Sequence, residues 1–271
     1  MTDIAWLTDP LGNDRTATVD RLGGKGAGLA EMVQLFDLPV PPAFVITTDV
    51  CRRYLQHGWP DGLTEQIRGA LDELGRRTGR RLGDPTAPLL VSVRSGAPVS
   101  MPGMMETVLN VGMDDRVHTA LTTEHGHVTF ADNLRARFHE MFTTATGTVP
   151  PDDPFDQVVA AVEGVFRSWN ADRARLFRET EGIDQDLGTA VVVQAMVFGN
   201  LDDRSGTGVL FTRDPVTGAD EPYGDYLPCA QGEDVVAGTR TVEGLDALRA
   251  TLPEVHDRLL DIGRRLSLIH I

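Results

Sequence analysis

Lysine is almost missing from this 271-residue chain: of its 25 basic residues only Lys25 is a lysine, and the others are arginine. Positive charge is scarce as a whole, since 40 acidic residues leave a formal net charge of -15. That balance argues against a nucleic-acid binder, which works through a net basic face. Cysteine is scarce too. Cys51 and Cys229 are the only two and stand far apart, giving neither a metal-ligand spacing nor a disulfide framework. A reducing, cytoplasmic compartment is the expectation. No apolar run approaches the ~20 residues of a membrane span. The opening residues MTDIAWLTDP lack a basic region followed by an apolar core, so no secretory signal is expected. Internal repeats and low-complexity tracts are also missing. What is there is 41% hydrophobic and 24% charged, the balance of a folded globular chain. At this length about three quarters of the unfolded surface can be buried, enough for one large domain or two lobes.

The lone lysine stands inside Gly23-Gly24-Lys25-Gly26-Ala27-Gly28. Random placement in a six-residue window of such a chain has a chance of roughly 2%. Lysine is a compact point charge on a flexible stem, whereas arginine is a wide planar fork. A lysine kept in an arginine-rich chain therefore marks a place where the fork does not substitute.

The coarse plan is mixed α/β, then helical, then β-rich. After the glycine segment, Leu29, Met32, Val33 and Phe36 recur at helical spacing, so the segment is expected to open a helix. Leu38-Pro39-Val40-Pro41-Pro42 ends it. Phe44-Val45-Ile46 reads as a strand, Thr48 or Asp49 as the cap of a helix, and 63–77 as another helix. Pro88 to Val93 reads as a buried strand ending at Arg94-Ser95-Gly96-Ala97-Pro98, followed by a turn-rich stretch from Val99 to Glu106. From Asp114 to about Thr180 the pattern is helical. Phe130, Leu134, Phe138, Met141 and Phe142 share one face, and Phe155, Val158, Val159, Val162, Phe166 and Trp169 another. Gly147 to Asp152 is the loop between them. Strands return at 189–194 and 208–211, joined onward by the turn Arg213 to Gly218. The last 30 or so residues read as helix.

Four segments could carry chemistry. Glycines in the 23–28 segment let backbone approach a ligand, and amides at a helix start favour phosphate; the alternative is a glycine-rich turn with a solvated lysine. A Walker loop, GxxxxGK[ST], is not there. Arg94, at the end of an apolar strand, needs an anion, either a protein carboxylate or a ligand phosphate. Gly103-Met104-Met105-Glu106-Thr107 offers an amide, a hydroxyl and a carboxylate, though its methionines with Met101 also fit a packed flap. Gln194-Ala195-Met196-Val197 ends a valine-rich strand and either presents amides and carbonyls to a flat base or is an ordinary core strand. Arg76, Arg77, Arg80 and Arg81 read as a solvated helix end. His125 and His127, without a third ligand, read as a surface loop. Neither GxSxG nor HExxH occurs.

In order along the chain these segments resemble the nucleotide-binding region of the pyruvate phosphate dikinase family, an ATP-grasp fold. The segments are LGGKGAGLAEM, LPVPPAFVITTDVC, LLVSVRSGAPVSMPGMMETVLNVGM, FRSWN, GTAVVVQAMVFGN, SGTGVLFTRDPVTG, YGDYLPCAQGEDVVAG and TRT. They run from about Leu22 to Thr241. Phosphoenolpyruvate synthase and the rifamycin phosphotransferases look related, but the SMPGMMETVLN and QGEDVVAG runs favour the dikinase branch. The implied architecture is α/β (α+β), an ATP-grasp-like two-lobed domain with a helical insert. It comprises an N-terminal ATP-binding lobe (1–113), the insert (114–187), and a hinge strand with an incomplete second lobe (188–271).

The resemblance also implies roles. Lys25 and Arg94 match the cations that hold the nucleotide phosphates and stabilise charge during phosphoryl transfer, with Gly24 beside Lys25. Gly103, Met104, Met105, Glu106 and Thr107 match a phosphate-gripping loop. Gln194, Met196 and Val197 match the hinge that receives adenine; Gln231, Gly232 and Glu233 match a loop lining the same cleft. ATP and Mg²⁺ are the implied cofactors, the metal ligands being expected past the end of this chain, which reads LSLIHI after Arg265. The implied partners are a swivelling domain carrying a phosphohistidine and a barrel that binds pyruvate, in a parent enzyme that can be a homodimer. One family arginine aligns with Ala136, while Arg137 remains. The chain is accordingly expected to be a fragment or a degenerate stand-alone piece that does not complete the dikinase reaction. A non-catalytic nucleotide-binding module and a related phosphotransferase are the alternatives.

Overall fold

Hydrophobic strands flanked by amphipathic helices organise the first of two compact units, 1–196 and 197–271. The computed structural model describes residues 2–123, 128–236, 238 and 240–267. In the first unit the elements are β1 (Ile4–Trp6), α1 (Arg15–Gln34), β2 (Ala43–Ile46), α2 (Thr48–His57), α3 (Leu63–Thr78), β3 (Val91–Gly96) and β4 (Thr107–Val111). They continue with α4 (Asp115–Thr123), α5 (Val128–Thr146), α6 (Pro154–Ser168), α7 (Asp172–Glu181) and β5 (Ala190–Ala195). The second unit holds β6 (Gly206–Phe211), β7 (Tyr223–Pro228), α8 (Gly232–Val236), β8 (Glu243–Gly244), α9 (Leu245–Thr251) and α10 (Pro253–Ser267). The class is α+β, because every paired strand runs antiparallel to its neighbour. No described helix is long and apolar enough to cross a membrane.

The five-stranded sheet of the first unit has the order β1-β2-β5-β3-β4. β5 is therefore central although it comes last in the chain, and its run Ala-Val-Val-Val is buried on both faces. Alternation along the strands sends Val45 and Val192 toward α1, where they pack with Leu22, Ala30 and Ala43. α3 packs beside β2, and α6 beside β3, β4 and β5. α6 brings Val158, Val162 and Phe166 fully out of water. Four helices, α4 to α7, fill the connection from β4 to β5. They are anchored by buried Gln157, whose Oε1 accepts from Gly112 N–H at 3.0 Å while its Nε2 donates to the Pro151 carbonyl at 2.9 Å.

α1 departs from the expected loop-then-helix. Asp14 caps a helix that already begins at Arg15, its carboxylate accepting from Thr16 and Ala17 amides at 2.9 and 3.2 Å. The helix breaks once, at Gly23 (φ 70°, ψ 164°), and resumes. A glycine tract spread over a helix carries too weak an apolar pattern for its first turns to be read. Two other readings shift. Thr47, rather than Thr48 or Asp49, is the N-cap of α2, and Thr48 Oγ1 donates to the Asp20 carbonyl at 2.6 Å. β3 starts at Val91 rather than Pro88 and takes in Arg94, Ser95 and Gly96, because pairing with β5 continues to Gly96.

In the second unit β6, β7 and β8 form a three-stranded sheet, and the expected turn at 213–218 joins the first two. There Asp214 Oδ1 accepts from the Val216 and Thr217 amides at 2.7 and 3.1 Å, which holds its carboxyl below the usual range. Tyr226, Leu227, Ala230 and Leu248 are its buried apolar residues.

Gly23 combines a left-handed φ with a close approach: a Cβ there would lie 1.5 Å from the Gly96 carbonyl oxygen. Gly23→Ala is expected to cost about 3 kcal/mol or more, read as a lower denaturant midpoint with an unchanged m-value. A midpoint equal to wild type would refute the contact. The thiols provide a second check. Burial pushes Cys51 up to about 12, whereas Cys229 is exposed. At pH 8 a disulfide reagent should modify Cys229 quickly and Cys51 only after unfolding. Because the folded pKa is raised, the stability tied to Cys51 is complete below pH ~9 and declines as pH climbs from there toward 12. Two equally fast thiols would contradict the buried placement.

Candidate functional site

The bend in α1 docks onto the C-terminal end of β3. Gly23 lies against Gly96, and the Gly24 amide donates to the Ala97 carbonyl at 2.9 Å. That contact fixes the start of the resumed helix, so Lys25 falls in its first turn. Beside it opens a cleft of about 620 Å³. Gly24 and Lys25 line it, together with Arg15 and Val19 from before the bend, Ser95 to Gly103, Met105 and Thr107. Among the described residues lining this cleft there is no carboxylate. In a chain of net charge -15, that is a locally cationic opening at a helix start.

The loop that forms the far wall is held from behind. Ala97 and Met101 are buried with Trp169 and Ala174, and Met104 and Met105 pack against the same cluster. The methionines thus serve as packing for the flap, while Gly103 and Met105 also face the cleft. Trp169 is itself fixed on two sides. Its indole N–H donates to the Gln185 carbonyl at 3.0 Å, and the Arg178 guanidinium stacks 3.9 Å over its ring. Arg178 is fully buried with no carboxylate paired to it among the described residues, and its Nε donates to Gln185 Oε1 at 2.8 Å. Desolvation lowers its pKa, but a guanidinium this basic stays charged.

Arg173 on α7 ties the loop directly. Its Nε donates to the Met104 carbonyl at 3.1 Å and its Nη2 pairs with Glu106 Oε1. The Glu106 amide donates to Ser168 Oγ at 3.2 Å. Met104 and Glu106 therefore point their bonding groups toward α6 and α7 and do not line the cleft, whereas Gly103, Met105 and Thr107 do.

Arg94 and Gln194 meet across β3 and β5. Arg94 Nη2 donates to Gln194 Oε1, and Gln194 Nε2 donates to the Pro41 carbonyl at 2.8 Å. Because β5 is central, its end is committed to both neighbours: the Ala195 amide donates to Pro42 and the Met196 amide to Leu90, at 3.0 and 2.9 Å. Arg94 faces Thr107 of β4 in the register, one residue pair from the cleft wall. Val197, Gln231 and Glu233 belong to the second unit. Gln231 is buried with its amide donating to Asp234 Oδ2 at 2.8 Å, and Glu233 stands in the first turn of α8.

The sequence reading missed Arg15 and Val19 as cleft residues, and Arg173 and Arg178 as supports of its wall. Arg15 lies eight residues before Gly23 on an earlier helical stretch, and only the bend brings it round; no spacing rule signals that. His125 and His127 lie outside the described residues. Among those described, no three His, Cys, Asp or Glu side chains gather in a way that could hold a metal ion.

Removing the clamp should loosen the wall without unfolding the chain. Arg173→Ala is expected to speed amide exchange at 104–106 about tenfold, with an unchanged far-UV spectrum. Exchange identical to wild type would mean the packing cluster alone holds the loop.

Residues 19–59 and 55–258 match the family model described as pyruvate phosphate dikinase, AMP/ATP-binding domain. Pyruvate, phosphate dikinase 1, chloroplastic, of Oryza sativa subsp. japonica is 42% identical over 293 residues, covering 90% of this chain and 31% of that protein. Pyruvate, phosphate dikinase 2 of Zea mays is 40% identical over 294 residues, covering 91% and 33%. Pyruvate, phosphate dikinase of Rickettsia felis is 37% identical over 310 residues, covering 94% and 35%. The chain spans about a third of the length of the curated relatives it matches. Matched over most of its length, the chain belongs to the pyruvate phosphate dikinase AMP/ATP-binding domain family.

Proposed function

We propose that this chain is the ATP-binding part of a pyruvate phosphate dikinase and that the triphosphate lies in the cleft beside Lys25. The observation that carries this reading is the cleft itself: Lys25 at the helix restart, Arg15 from the stretch before the bend, glycine-rich walls, and no carboxylate among its described lining residues. A polyanion approaching a protein of charge -15 needs such a place. The first-turn amides and the helix dipole favour phosphate, and the Lys25 ammonium adds a compact point charge. Gly103, Met105 and Thr107 close over the same anion, held by the Arg173 clamp.

Arg94, which Gln194 and Pro41 orient, is assigned to the charge that develops as a phosphoryl group leaves. The segment from Gln194 to Val197 is assigned to adenine, and Gln231 and Glu233 to the same nucleotide. The architecture in this reading is ATP-grasp-like, with an N-terminal lobe (1–113), a helical insert (114–187) and a hinge strand with part of a second lobe (188–271). Mg²⁺ would arrive with the nucleotide and neutralise phosphate charge; the described residues contain no three-ligand set for it, and no step is assigned to it. In the parent enzyme, ATP, phosphate and pyruvate would yield AMP, diphosphate and phosphoenolpyruvate. The phosphoryl group would pass through a histidine on a separate domain to a pyruvate-binding barrel.

Titrating a non-hydrolysable ATP analogue into wild type and Lys25→Ala tests the reading. A charge-assisted hydrogen bond contributes ~1.5–3 kcal/mol, so affinity should fall about 10- to 100-fold. Lys25→Arg should recover only part of it, because the planar fork does not reproduce a compact ammonium. Equal affinity in wild type and Lys25→Ala would remove the triphosphate from this cleft.

A further inference from the structure

The arginine cluster that the sequence presents as a solvated helix end is exposed, yet most of it borders a single cavity. Arg76, Arg80 and Arg81 converge with Arg68 and Arg116 on a second cavity of about 620 Å³ in the first unit. Arg68 and Arg76 come from α3, Arg80 and Arg81 from the turn after its left-handed cap Gly79, and Arg116 from the start of α4. The chain needs a reason to gather five guanidinium groups around one opening.

Internal pairing accounts for only part of the charge. Arg76 pairs with Glu73 at 2.5 Å and Arg116 with Asp114 at 2.9 Å. Among the described residues, the Arg80 and Arg81 side chains have no ion pair or hydrogen bond, and Arg68 has only the Phe155 ring, 3.7 Å below its guanidinium. Asp84, which feels the charge of Arg81, is committed to Thr86 by two bonds of 2.8 Å. The carboxylates on the cavity wall are Asp72 and Asp153, and Asp153 is spent capping α6 through the Phe155 and Asp156 amides. The opening thus keeps an excess of planar, bidentate donors above an apolar floor that includes Leu82 and Phe155.

We propose that this cavity is a second anion site, one that takes a small phosphate-bearing ligand. Its size suits a metabolite rather than a macromolecule, and the guanidinium fork matches phosphate geometry. It also stands apart from the Lys25 cleft. β3 and β4 pair Arg94 with Thr107 near that cleft and Val91 with Val111 at their other end. Next to Val111, Gly112 is packed against Leu82 of the arginine cavity, so that a Cβ on it would meet Leu82 Cδ1 at 2.8 Å. The two openings are joined by that ladder and do not share a residue. The proposal stands on this cavity alone and does not depend on what the Lys25 cleft binds.

The test measures binding of inorganic phosphate and of phenyl phosphate to the full chain carrying Lys25→Ala, at 150 mM NaCl, by calorimetry. The same background is then examined with Arg80→Ala and Arg81→Ala added. Both arginines are exposed and their side chains make no hydrogen bond or ion pair among the described residues, and a far-UV spectrum checks the fold; single Arg81→Gln serves if the triple variant is unstable. Loss of binding by tenfold or more on removing the two arginines supports the site. Tighter binding of phenyl phosphate identifies an organic phosphate that uses the apolar floor, whereas equal or tighter binding of inorganic phosphate identifies the free anion. Unchanged binding after the arginines are removed, or no binding before, overturns the proposal. Titrating the ATP analogue into Arg80→Ala/Arg81→Ala with Lys25 intact separates the two sites: that affinity should stay within twofold of wild type.

Discussion

One backbone contact sets the geometry of the Lys25 cleft. Gly23 rests on Gly96 so closely that no side chain fits between them, and the Gly24 amide closes onto Ala97. A helix cannot continue through a residue at φ 70°, so the chain stops, turns and starts a new helix with Lys25 in its first turn. The same contact determines which end of the sheet the new helix start adjoins. Gly96 is a firm anchor because it pairs with Ala190 of β5 and its amide donates to Thr189 Oγ1 at 3.1 Å. Position here comes from packing of the sheet, and the glycines serve by letting two backbones approach.

Electrostatics explains why such precision is needed. The chain as a whole repels anions, and screening over about 8 Å in physiological salt keeps distant acidic residues from deciding the outcome. What matters is the immediate lining. There the fold withholds carboxylates: Glu106, the one acidic residue of the loop, is turned away and neutralised by Arg173. Glu31 is also off the lining, but its pairing with Arg15 at 2.7 Å offsets that cation. The arginine cavity carries Asp72 and Asp153 on its wall and instead outnumbers them with five guanidinium groups, rigid forks where the cleft uses a lysine. An acidic chain can hold anions when cations are gathered into concave places.

Much of this was legible in the residues. The valine run at 190–195, the phenylalanine face of α5 and the helical stretch from 114 onward follow from periodicity, since burial imposes it directly. Lys25 and the loop from Gly103 to Thr107 stood out by composition and by their resemblance to a family. Other features could not be read. β1 and β8 have three and two residues, too short for any period. The early start of α1 hides behind its glycines. Arg15, Arg173 and Arg178 act through tertiary contacts separated in sequence by 16 to 69 residues or by stacking on Trp169. The arginines of 76–81 were visible as a run, but only the approach of Arg116 and Phe155 turns them into a cavity. Sequence reveals which residue types are unusual, while convergence depends on topology.

The scarcity of lysine makes the central claim directly measurable. In a chain labelled with ¹⁵N-lysine, one side-chain ammonium resonance reports on Lys25 alone. The account predicts that this resonance shifts and saturates at one equivalent of ATP analogue, and stays in place with adenosine at the same concentration. A Lys25 signal that remains unmoved while the chain binds the analogue would contradict it.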